Sequence, residues 1–93
     1  MNYQTILKLQ KKHGLTKLQN DINSGLCWKL EGSYGKSAMD ALKNGACVLP
    51  KISRYDFYGN LVPSRYMVKS GTAGSYKNCV NFWNNIVEFD NEF

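Results

Sequence analysis

A mainly α, compact four-helix single domain, with an irregular Gly/Pro loop region and room for one small β-hairpin, is predicted by three observations. Apolar residues recur at helical spacing in four stretches, glycine or a capping residue bounds each of them, and both prolines fall in the interval between the third and fourth. A chain of 93 residues is one domain, read here as 1–93. At that size only roughly 60–65% of the unfolded surface is buried, so the core must be economical. The 43% hydrophobic fraction, with six Tyr, four Phe and two Trp, is enough for such a core, and the 20% charged fraction is too low for a disordered polyelectrolyte.

The first helix is predicted over Tyr3 to His13, where Tyr3, Ile6, Leu7 and Gln10 share a face, Lys8, Lys11 and Lys12 lie on the polar side, and Gly14 is the stop. Thr16 and Gln19 have the spacing of a capping box, followed by Leu18 and Ile22 until Asn23-Ser24-Gly25 ends the second helix. Leu26, Cys27, Trp28 and Leu30 are too apolar for an exposed linker and are expected to return the chain through the core. The third helix is predicted from Lys36 to Asn44, with Ala38, Met39 and Leu42 as its stripe and Gly45 as its cap.

Cys47, Val48 and Leu49 should then enter the core before Pro50 forbids helix. Gly59-Asn60, between Asp56-Phe57-Tyr58 and Leu61-Val62, is a two-residue hairpin signal, with Pro63 restricting the second strand to an edge. Ser75 is positioned to cap a last helix whose stripe is Tyr76, Val80, Trp83 and Val87. Its acidic end, Glu88 to Glu92, opposes the helix dipole, and a mobile tail over 88–93 is expected. The expected core is Leu7, Leu18, Trp28, Met39, Leu42, Val80 and Trp83.

The formal charge is +5, but it is unevenly placed. All twelve Lys and Arg precede residue 88, against only Asp21, Glu31, Asp40 and Asp56, so the body carries about +8. Such a surface attracts nucleic acid, nucleotides or an acidic protein face, and it also simply confers solubility. Three widely spaced cysteines, Cys27, Cys47 and Cys79, and the absence of an apolar run after the N-terminal lysines predict a reducing, cytoplasmic location. No stretch approaches the ~20 apolar residues of a membrane span.

Gly32-Ser33-Tyr34-Gly35-Lys36-Ser37 invites comparison with a phosphate-binding loop, but its glycine spacing is two residues short and no acidic metal-binding strand accompanies it. Gly35, Lys36 and Ser37 as the opening of a helix could still hold a phosphate or carboxylate; the simpler reading is a turn. Arg54, Tyr55, Tyr58, Arg65, Tyr66 and Lys69 interleave cations with aromatics. That pattern serves stacking and phosphate neutralisation, a protein interface, or a tyrosine roof over a small core.

No catalytic set is legible. His13 is the single histidine and sits at a helix end, Cys47 between Ala46 and Val48 reads as buried and unreactive, and the cysteines lack paired zinc spacing, so neither a metal nor a cofactor is expected. A carboxylate pair of Glu31 and Asp56 would depend entirely on the fold, as would an unfamiliar enzyme site that adds Lys36 and Arg65 to them.

The segments Glu31-Gly32-Ser33-Tyr34-Gly35-Lys36, Ala38-Met39, Cys47-Val48-Leu49-Pro50, Tyr58-Gly59-Asn60-Leu61-Val62-Pro63-Ser64-Arg65 and Lys69-Ser70-Gly71-Thr72-Ala73-Gly74-Ser75 resemble a group of small uncharacterised proteins encoded by bacterial phages and prophages. The resemblance covers most of the chain after Trp28 and implies an origin, not an activity. With the small size and basic body, it leads to the expectation of a phage accessory protein that binds a host protein or nucleoprotein stoichiometrically, such as an inhibitor of a CRISPR effector. Nucleic-acid or nucleotide binding, and a virion or assembly role, are the alternatives. The expected contact residues in each case are Lys36, Arg54, Tyr55, Tyr58, Arg65, Tyr66 and Lys69.

Overall fold

Five helices and one two-stranded hairpin account for the regular structure in a computed structural model that describes residues 1–30 and 32–91, with side chains through 87. The fold is mainly α with a small antiparallel hairpin, as the periodicity predicts. Helix α1 (Tyr3–Lys12) starts where the Asn2 side chain accepts from the Thr5 amide at 2.9 Å, and ends at His13. Helix α2 (Thr16–Ser24) stops at left-handed Gly25, which opens a single-turn helix α3 (Leu26–Lys29). Helix α4 (Ser33–Asn44) ends at left-handed Gly45, and α5 (Tyr76–Asn91) follows the loop region. Ser75 Oγ accepts from the Asn78 amide at 3.1 Å and caps α5 as its position predicts. The expectation of a mobile acidic tail over 88–93 lies outside the described side chains.

The centre of the molecule is the segment Ala46 to Pro50, outside helix and strand and buried along its whole length. Such a backbone in the interior must find partners for its polar groups, because each one left unpaired is costly. Here the partners are largely side chains. The Ala46 carbonyl accepts from Gln10 Nε2 at 3.0 Å and from the Trp83 indole at 3.2 Å. Gln19 turns its amide to Val48 as a neighbouring strand would: its Oε1 accepts from the Val48 amide at 3.0 Å and its Nε2 donates to the Val48 carbonyl at 2.8 Å. The Gln10 and Gln19 amides join at 2.8 Å, and Arg65 Nε donates to the Leu49 carbonyl at 2.8 Å.

Around this segment pack Ile6 from α1, Ile22 from α2, Cys27 and Trp28 from α3, Ala38, Ala41 and Leu42 from α4, and Cys79 and Trp83 from α5. Three members of the expected core, Trp28, Leu42 and Trp83, are buried, and Leu18 and Val80 are half-buried against it. Met39 is corrected to the surface: the α4 stripe is centred on Ala38, Ala41 and Leu42, which leaves Met39 at the helix edge. Leu7 is half-buried and lies outside the central cluster.

Four local expectations change. The α2 N-cap is Leu15 without a side-chain bond, because Gln19 is drawn into the core and forms no capping box. Helix α4 begins at Ser33, three residues before Lys36. Leu26 and Leu30 are exposed, since the tight turn of α3 buries only Cys27 and Trp28. Strands β1 (Arg54–Tyr55) and β2 (Leu61–Val62) pair Arg54 with Val62 and Tyr55 with Leu61, so the connection spans Asp56 to Asn60 and is no two-residue turn. Asp56 accounts for the longer loop: its Oδ1 accepts from the Tyr58 and Asn60 amides at 2.9 and 2.8 Å.

Candidate functional site

The structure distributes the expected contact residues over two clefts and a loop. Lys36 and Tyr58 border one cleft of about 280 Å3, together with Leu30, Met39, Asp56 and Phe57. Arg54 and Arg65 border another of the same size with Tyr3, Asn23, Lys51 and Ile52. Tyr55 stands on the exposed side of the hairpin, and Tyr66 and Lys69 lie exposed in the chain after β2, lining neither cleft.

The first cleft is bounded by the hairpin loop, α3 and α4. The Phe57 amide donates to the Trp28 carbonyl at 2.6 Å, which ties the hairpin loop to α3. Phe57 and Tyr58 meet edge to face at 5.1 Å, and the register places Tyr55 and Leu61 opposite each other. Leu30, Met39, Tyr55, Phe57, Tyr58 and Leu61 are between 42% and 71% exposed, so the hairpin and its helical border present apolar and aromatic side chains to solvent. Phe57, Leu30 and Met39 were not among the expected contact residues. An aromatic pair beside a turn glycine was the available signal for Phe57, but nothing in the sequence places α3 and α4 beside it.

Lys36 does not open a phosphate-binding loop. It lies within the first turns of α4, after an N-cap, Gly32, that has no side-chain bond. Gly35 serves packing instead: a Cβ there would lie 3.5 Å from the Cys27 carbonyl and 4.0 Å from the Trp28 ring, in ordinary contact. Gly35→Ala is therefore expected to stabilise the protein by about 0.5–1 kcal/mol, since alanine restricts the unfolded chain and suits a helix. A urea midpoint below wild type would show that α3 and α4 approach more tightly than these contacts indicate.

In the second cleft both arginines hold backbone. Arg65 is buried, its guanidinium carbon lies 4.9 Å from the Tyr3 ring centroid, and its own amide donates to the Pro50 carbonyl at 2.9 Å. Arg54 Nη2 donates to the Asn23 carbonyl at 3.1 Å while its stem covers Gly25. Lys51, exposed at the rim, was absent from the expected set because it follows Pro50 with no aromatic neighbour.

The groups that chemistry would require are engaged elsewhere or inert. Asp56 organises the hairpin loop, and its suggested partner Glu31 lies outside the described residues. Lys17 pairs with Asp21 at 2.6 Å, holding that carboxyl below its ordinary value, with help from the Tyr34 hydroxyl. His13 packs against Trp83 with ring centroids 5.1 Å apart. Burial pushes the Cys47 thiol up to about 12 and those of Cys27 and Cys79 to about 11, so all three stay protonated and poorly nucleophilic near neutrality. Among the described residues no cluster of His, Cys, Asp or Glu could hold a metal, and no helix is long and apolar enough to cross a membrane. Comparison of the chain with protein-family models, with curated proteins and with solved structures finds no match.

Proposed function

We propose that the protein acts by stoichiometric binding to a host protein or nucleoprotein, through the aromatic face formed by the hairpin and the adjoining edges of α3 and α4. The observation that carries this reading is the exposure of Phe57 and Tyr58 beside Leu30 and Met39, with Tyr55 and Leu61 paired and exposed on the same hairpin. Small domains rarely leave several large apolar side chains together in water without a use for them. Aromatic residues and methionine are enriched where protein surfaces meet, because they cover much area for little conformational cost. Lys36 at the border adds a cation that would steer an acidic partner.

The class of target rests on the phage resemblance, which directs the proposal to bacterial defence and to a CRISPR effector as the first candidate. A continuous nucleic-acid groove is less well supported, because Arg54 and Arg65 line one cleft, Lys36 borders a different one, and Lys69 lines neither.

A cleavage assay with purified CRISPR effectors, paired with co-purification from bacterial lysate, tests both levels. Wild type is expected to titrate activity to a sharp end-point at a fixed molar ratio, and Phe57→Ser with Tyr58→Ser is expected to remove both inhibition and co-purification while the fold is retained. A stoichiometric partner recovered equally by the double variant would overturn the aromatic face. Inhibition absent against every effector, with a partner still retained by wild type alone, would overturn the CRISPR target and keep the face.

A further inference from the structure

We propose that the cleft bounded by Arg54, Arg65 and Lys51 binds a phosphate group. The inference is independent of the aromatic face and starts from an electrostatic imbalance. Arg65 is only 9% exposed as a residue, and an arginine covered to that extent commonly has a carboxylate beside it. Here its neighbours are neutral: Nε donates to the Leu49 carbonyl, and the plane lies over Tyr3. Neither Nη nitrogen of Arg65 has an acceptor among the described residues.

Arg54 repeats the imbalance. One of its Nη nitrogens donates to the Asn23 carbonyl, while its Nε is buried and has no partner among the described residues. Two arginines and Lys51 therefore line the cleft, and no carboxylate-bearing residue does. The ion pair between Lys17 and Asp21 is formed by residues that do not line it.

The ligand class follows from charge and geometry. Three cations around one cleft exceed what a single carboxylate neutralises, whereas a phosphate monoester carries up to two negative charges and three oxygens to receive the remaining N–H groups. The planar guanidinium fork matches phosphate oxygens in pairs. Arg65 is also held in advance, through its own amide to the Pro50 carbonyl and through Nε to the Leu49 carbonyl, so little side-chain freedom remains to be lost on binding. A cleft of about 280 Å3 has room for the group and for part of what it is attached to.

The test is calorimetric titration and thermal unfolding of the full chain with inorganic phosphate and with adenosine monophosphate, against sodium chloride at matched ionic strength. Phosphate is expected to raise Tm progressively with concentration while chloride does not, as a ligand bound only by the folded state requires. Lys51→Gln and Arg54→Gln are each expected to weaken binding about tenfold or more, in line with the loss of a charged hydrogen bond. Lys51 is exposed, so its variant keeps the fold even if Arg54→Gln does not. Tighter binding of adenosine monophosphate than of phosphate assigns a nucleotide source, and equal binding assigns the phosphoryl group alone; both support the site. Equal effects of phosphate and chloride, or undiminished phosphate binding by Lys51→Gln, would overturn it.

Discussion

Replacing Gln19 with leucine is expected to bring the protein close to unfolding, although the two side chains are similar in size and the position is buried. The Gln19 amide satisfies both the N–H and the carbonyl of Val48 and receives the Gln10 amide, all of them in the interior. At about 1–3 kcal/mol for each buried group left without a partner, stranding the Val48 N–H and carbonyl costs roughly 2–6 kcal/mol. That is a large share of the about 5–15 kcal/mol that holds a typical domain folded. Urea unfolding of Gln19→Leu and Gln10→Leu, singly and together, provides the measurement. The double variant should lose less than the sum of the two singles, because the bond between the two amides is counted in both single losses. A Gln19→Leu midpoint within error of wild type would remove the side chain's assigned role as a substitute strand.

Gly45→Ala is the second large effect. Gly45 ends α4 at φ 96°, a conformation that costs an alanine about 1–2 kcal/mol. The site has no room either: an added Cβ would stand 2.7 Å from the Asn78 carbonyl oxygen and 2.7 Å from Phe82 Cβ. The first obstruction is backbone of α5, and it cannot swing aside as a side chain can. Overpacking of this kind adds about 1–3 kcal/mol, for a total of roughly 2–5 kcal/mol. The same helix approach lets Asn78 Nδ2 reach the Leu42 and Lys43 carbonyls at 3.2 and 3.3 Å, so separation of α4 from α5 would also uncap α4. Gly14→Ala is the control, with φ 74° and nothing within 4 Å of the added Cβ. Thermal unfolding should show Gly45→Ala losing clearly more than Gly14→Ala; equal losses would reduce the effect to backbone conformation alone.

Helices and their ends were legible because their causes are local. Repeats of Ile6 with Gln10, Leu18 with Ile22 and Cys79 with Trp83 lie within one turn of each other, and Gly25 and Gly45 declare their stops by the backbone they permit. What escaped the sequence has distant causes. Gln19 reads as a capping residue until Val48 is placed beside it, and Met39 reads as core until Ala38 and Ala41 are seen to allow close packing. A usable signal did exist: Ala46 to Pro50 is an apolar run too short for a helix and closed by Pro50, so its backbone needed partners from elsewhere. Backbone at Ala41, Gly74 and Arg65 shares that role with the side chains of Gln10, Gln19, Arg65 and Trp83. For the candidate sites, residue types were readable and grouping was not. Arg54 and Arg65 share a cleft although eleven positions apart, while Tyr66, next to Arg65, lines a different part of the surface.

The side-chain ladder on Ala46 to Pro50 also constrains the order in which the chain can fold. Its rungs come from far along the sequence: Gln19 reaches Val48 across 29 residues, Gln10 reaches Ala46 across 36, and Trp83 reaches the same carbonyl across 37. No early fragment contains both the segment and all its partners, so the centre closes only when α1, α2 and α5 have all arrived. The Val48 and Leu49 amides should consequently exchange with solvent deuterium only through global opening, making the least regular stretch of the interior the slowest to exchange.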